Sequence, residues 1–144
     1  MDVERIRAFL LSLPHVVETM QWGDNLVFWV GDKAIGGKMF AVLNLDYVKN
    51  SQVIGYAAGP ERYAELLETD GITPAPYMAR MYWVAIRGWN IFRSSQWKSE
   101  LTAAHDLIYA KLPPRTKAAL ALPAKEREAI IRERRKLLKS KARR

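Results

Sequence analysis

Two apolar runs, LVFWV (26–30) and KMFAVLNL (38–45), flank the segment GDKAIGG. Both are too short, and too rich in β-branched and aromatic residues, to be helices. The three glycines between them supply the positive-φ positions that a long hairpin loop needs. A hairpin apolar on both of its faces belongs at the centre of a sheet. Whatever else this chain does, it builds a sheet around residues 26–45.

The flanking segments read accordingly. Val3, Ile6, Leu10 and Leu13 share one helical face with Phe9 beside them, and Asp2 and Glu4 suit the positive end of that helix. Leu13-Pro14 stops the helix, and VVETMQWGDN leads into turn chemistry at Gly23-Asp24-Asn25. SQVIGYAA (51–58) predicts a further strand weakened by Gly55. Pro60 opens a short helix with Tyr63, Leu66 and Leu67 inward, and DGITPAP reads as a loop. RMYWVAIRGW (80–89) predicts a strand with Met81, Trp83 and Ala85 on one side and Tyr82, Val84 and Ile86 on the other. Ser94 or Ser95 caps a helix whose Trp97, Leu101, Ala104, Ile108 and Leu112 step by four and three until Pro113-Pro114. RTKAALAL predicts one more short helix before a charged tail. Strands joined by hairpins, with helices at intervals, give an α+β fold. The expectation is a single domain (1–113) with an antiparallel sheet and helices packed on one face, followed by a helical extension (114–144) with a basic arm.

The absence of cysteine removes disulfides, thiolate metal sites and cysteine nucleophiles together. No run nears the roughly 18 apolar residues that span a bilayer, and MDVERIRAFLLSLP lacks the form of a signal peptide. A cytoplasmic protein without a membrane partner is expected. The net charge of +8 is not spread evenly. Residues 123–144 hold ten Lys/Arg and three Glu, whereas the other 122 residues hold thirteen Lys/Arg against twelve Asp/Glu. A nearly neutral body therefore carries a cationic arm.

Catalytic signals are thin. There is no H-E-x-x-H, G-x-S-x-G, Walker or G-x-G-x-x-G pattern. His15 follows a helix-ending proline, and His105 sits at the edge of an apolar stripe beside Asp106, the position of a structural histidine. Asp24, Asp32 and Asp46 fall in turns, where Asp is favoured for backbone reasons. No enzyme activity, cofactor or metal site is expected. In ITPAPYMARMYWVAI (72–86), Pro74 and Pro76 hold the chain extended before Tyr77. Trp83 and Met81 on one side of the strand read as core. Two readings of the rest compete. In one, Tyr77 and Tyr82 are architectural residues with an apolar body and a hydroxyl in water. In the other, Trp22, Tyr77, Tyr82 and Arg80 group as an aromatic and cationic surface on which bases stack or a carboxylate is held, with Arg80 equally able to pair with Asp24.

The motifs SLPHV, WGDNLVF, GGKMFAVL, PAPYMARMYWV and KLP, in this order over residues 3–113, resemble the MmcQ/YjbR family of small bacterial proteins. The resemblance implies an α+β fold related to CyaY-like and "double wing" domains, and a DNA-binding role. His15 stands where that family usually has glycine. The GDKAIGG loop is longer than the turn of many relatives, and the basic tail lies beyond the shared region.

In that tail Ile130, Ile131, Leu137 and Leu138 form a narrow apolar stripe on an otherwise charged helix, with Glu at its start and Lys/Arg at its end. Three uses compete: a helix docked by its four aliphatics, a nucleic-acid arm, and a membrane-surface helix that lacks an aromatic anchor. The function expected is non-catalytic DNA binding, largely electrostatic and weakly sequence-specific. Arg132, Arg134, Arg135, Lys136, Lys139, Lys141, Arg143 and Arg144 would meet phosphates, helped by Arg80 or Lys38. The alternative is a protein-interaction or small-ligand module on the sheet face around Tyr77, Arg80 and Trp83, with Trp22 and Tyr82 nearby. The C-terminal helix is also a candidate surface for a protein partner.

Overall fold

The computed structural model describes residues 1–46 and 52–142. Six strands form one antiparallel sheet in the order β1-β2-β3-β4-β6-β5. They are β1 (Val16–Gln21), β2 (Asn25–Val30), β3 (Lys38–Asn44), β4 (Ile54–Ala57), β5 (Ile72–Pro74) and β6 (Trp83–Ile86). Five helices accompany them: α1 (Val3–Ser12), α2 (Pro60–Leu66), α3 (Ser94–Lys111), α4 (Pro114–Leu120) and α5 (Ala124–Ala142). The β2–β3 hairpin lies inside the sheet, as its two apolar faces require.

The hairpin loop is more ordered than its glycines suggest. Asp32 accepts from the Ala34 N–H at 2.9 Å and caps a 3-10 turn over Lys33–Ile35, and Gly36 leaves that turn at φ 89°. A side chain at Gly37 would overlap the Gly31 carbonyl, so the loop closes only without one.

Register assigns the faces. Phe28 pairs with Ala41, Leu26 with Leu43, and Tyr56 with Val84, and these side chains share the face that α3 covers. There Trp97, Leu101, Ala104 and Ile108 complete the core with Ile6 and Leu10 from α1. The Tyr56 hydroxyl donates to Glu100 on α3 at 2.9 Å, and Arg62 of α2 meets the same carboxylate at 3.0 Å. Burial, followed by the charge of Glu100, raises the pKa of the Tyr56 hydroxyl. Hydrogen bonding to Glu100 raises that of Arg62. Leu120 of α4 also belongs to the core.

Five details differ from expectation. VVETMQ forms an edge strand, β1, although its residues alternate too weakly to read as one. Within DGITPAP, residues 72–74 pair with β6 as a three-residue edge strand, where a proline is tolerated. The strand expected over 80–89 spans only Trp83–Ile86, because Ala79–Met81 forms a 3-10 turn that ends at Tyr82 with φ 60°. α3 starts at Ser94 with Arg93 as its cap, whose N–H donates to the Gln96 side chain at 3.1 Å. The strand expected over 51–58 is Ile54–Ala57, and Ser51 lies outside the described residues.

Candidate functional site

The second face of the sheet is apolar too, but among the described residues no helix fills the part over β3, β4 and β6. Val42 pairs with Gly55, Gly55 with Ala85, and Ala57 with Trp83, and all of these point away from α3. Of these, Val42, Gly55 and Trp83, together with Met39 and Ala75, floor a groove of about 520 Å³. Asn25, Asn44 and Gln52 form its polar end, and Met78 and Met81 line the side made by residues 75–81. Asn44 spends its amide on the Gln52 carbonyl at 3.0 Å and its carbonyl on the Asp46 N–H at 2.9 Å. Among the described residues, no charged one lines the groove.

Two aromatic rings stand at its rim. Trp22 sits in the β1–β2 turn at φ 50° and is 64% exposed. Tyr77 is the third residue of a turn closed by Met78 N–H to Ala75 C=O at 3.1 Å. With Pro76 before it and φ 64° of its own, Tyr77 holds the place that glycine or asparagine takes in a type II turn. Its side chain is fully exposed.

The expected aromatic surface is therefore only partly one site. Trp22, Tyr77 and Trp83 come together at the groove. Trp83 is buried, and its indole is the floor that ties groove to core. Met81, expected to build core with it, is instead exposed on the groove wall. Tyr82 packs edge-on against Tyr63, 5.6 Å between centroids, and its carbonyl accepts from Ala58 and Gly59. Arg80 is exposed on the 3-10 turn outside the lining. Lys38 is exposed at the start of β3, opposite Val30.

The basic tail is a helix, α5, and its side chains divide by face. Ile130 and Ile131 are half-buried, whereas Leu137 and Leu138 stay exposed, so one aliphatic pair of the four does most of the docking. Arg135 forms an ion pair with Asp32 of the hairpin loop. Arg127 donates to the Leu122 carbonyl at 3.1 Å. Arg134 lines a cleft with Arg115. Lys125, Arg132, Lys136 and Lys139 recur at i, i+7, i+11 and i+14, within about 60° of one another around the axis and along about 21 Å. All four are exposed. Lys141 is exposed near the helix end, and Arg143 and Arg144 lie outside the described residues.

Of the titratable candidates, His105 and Asp32 are held through their side chains. His105 is 4% exposed, with Nδ1 at 3.0 Å from Asp106 and Nε2 at 2.8 Å from the Pro14 carbonyl. Burial, then the charges of Arg127 and His105, lower the pKa of His15. Its φ of 64° is the left-handed conformation that glycine adopts freely, so histidine stands here at a cost. Asp24 accepts the Leu45 N–H on its backbone carbonyl, and Asp46 donates to Asn44. Among the described residues no three His, Cys, Asp or Glu gather as metal ligands. Nor is any helix among them long and apolar enough to cross a membrane.

Sequence reasoning missed Met39, Met78, Asn25 and Gln52 of the groove, and Lys125 of the α5 stripe. Heptad-like counting along the tail would have found Lys125. The groove residues come from distant segments and carry no shared pattern.

The fold is similar to that in the crystal structure of a Deinococcus radiodurans protein with a DUF419 domain. The TM-score is 0.70 at 22% identity, over 83% of this chain and 88% of that one. None of the curated proteins matches. The family model for YjbR matches residues 11–107, which include β1 to β6, the groove and most of α3. The chain belongs to the YjbR family.

Proposed function

We propose that this chain is a non-catalytic nucleic-acid-binding protein in which the outer face of α5 neutralises phosphates. One observation carries the reading: Lys125, Arg132, Lys136 and Lys139 lie in line on the solvent side, while Arg127 bonds to the Leu122 carbonyl and Arg135 pairs with Asp32 of the hairpin loop. Each phosphate met releases counterions, so binding follows salt rather than sequence. With four contacts, the slope of log affinity against log salt is about −3 to −4 on duplex DNA. The tightly bonded environment of His105 supports a non-catalytic protein.

The test is a salt series on a labelled duplex with the full chain and with the Arg132→Glu/Lys136→Glu/Lys139→Glu variant. The expected result is loss of binding at moderate salt with an unchanged melting temperature. An unchanged slope in the variant overturns the assignment to α5. A second reading, a small-ligand or protein-interaction module, is favoured by the open apolar groove beside Tyr77 and Trp83.

A further inference from the structure

The groove and the cationic helix lie near one another on the same side of the sheet. Arg135 and Leu138 of α5 line a cleft with Gln21 and Trp29. Gln21 is the register partner of Asn25, and Trp29 that of Met39, and both partners line the groove. Strands lie about 4.8 Å apart, so the groove floor and α5 are separated by only two or three strand spacings. A continuous surface thus runs from uncharged aromatic floor to cationic helix.

The rim residues are costly where they stand. A left-handed φ costs an ordinary side chain about 1–2 kcal/mol, and asparagine or glycine suits both turns better. Exposed Trp22 and Tyr77 bury little in return. Backbone strain of this kind collects at ligand clamps. The described lining between them is apolar with an amide end, which suits a flat uncharged ring better than a phosphate. The methionines adapt to such a ring's outline, and the indole and phenol stack on its faces.

We propose that the groove receives unpaired bases of a single-stranded nucleic acid, stacked against Trp22 and Tyr77, while the strand's backbone passes over β2 and β1 to the cations of α5. Arg80, exposed on the 3-10 turn just outside the lining, meets phosphate as the strand leaves. The proposal rests on the nucleic-acid reading above and specifies the form of nucleic acid. A paired duplex cannot reach the groove, because its bases are turned inward and already stacked.

The experiment compares a labelled oligothymidylate with a duplex of equal length, using the full chain and the variants Trp22→Asn, Tyr77→Asn and Gly55→Val. The last fills the floor from β4, where an added Cβ meets only ordinary contacts. Tighter binding of the single strand, quenching of tryptophan fluorescence, and about tenfold weakening in each variant support the proposal. Unchanged or raised melting temperatures in Trp22→Asn and Tyr77→Asn would add the signature of a site built at the expense of stability. Equal binding of duplex and single strand, unaffected by the three variants, overturns the groove proposal and leaves α5 binding standing. Absence of binding by both probes at low salt overturns both.

Discussion

The two faces of the sheet start from the same chemistry and end differently. On one, Phe28, Leu43, Tyr56 and Ile86 are closed over by α3, and the polar groups that come with that helix are matched: Glu100 by Tyr56 and Arg62, His105 by Asp106 and a carbonyl. On the other, Val42, Gly55 and Trp83 are equally apolar, yet their cover is a short segment of methionines and two strained aromatics. Apolar character thus marks burial on one side and availability on the other. What separates them is whether an element of sufficient length returns to that face.

The largest expected effect sharpens this contrast. Trp97→Ala empties the centre of the covered face and should cost about 3–5 kcal/mol in urea unfolding. Met81→Ala, on the groove wall and 54% exposed, should change stability by no more than about 0.5 kcal/mol. Comparable losses in the two would mean that the groove is core in solution.

A smaller effect is expected where the covered face hides polar groups. Glu100→Ala leaves the buried Tyr56 hydroxyl without its acceptor and should cost about 1–3 kcal/mol. Glu100→Gln keeps an acceptor there and should recover much of that loss. If both variants melted like the parent, the covered face would tolerate an unpaired polar group, contrary to its dry packing.

The smallest effect concerns His15, outside both faces. Its folded-state pKa is lowered, so the unfolded chain binds the proton more readily. Stability should therefore fall as pH drops through the ordinary histidine range near 6.5, and level off below the folded value. His15→Gly should remove that part of the slope. Relief of the left-handed strain, set against the added flexibility of glycine, should leave the protein equally stable or more stable by up to about 1 kcal/mol. Chemical denaturation at two pH values reads both.

The helices were legible where a periodic stripe met a firm stop, as in α1 before Pro14 and α3 before Pro113. The central hairpin was legible for the opposite reason, since its apolar residues do not alternate. β1 and β5 were not, because edge strands are specified by a neighbour's backbone rather than by their own side chains. Trp22 and Tyr77 could be named from sequence as exposed aromatics, but nothing in the letters showed that both backbones turn left-handed or that both rings overlook one groove.

The sequence by itself determined an α+β chain, the placement of its helices, the central hairpin and the concentration of positive charge after Pro123. These follow from local propensity, periodicity and counting, which need no knowledge of distant residues. Only the tertiary structure decided which apolar face stays open, that Arg135 pairs with Asp32, and that four cations of α5 remain in line on its outer side. Those outcomes depend on register and on which segments return to the same surface, and such long-range pairing is not written in any short stretch of the chain.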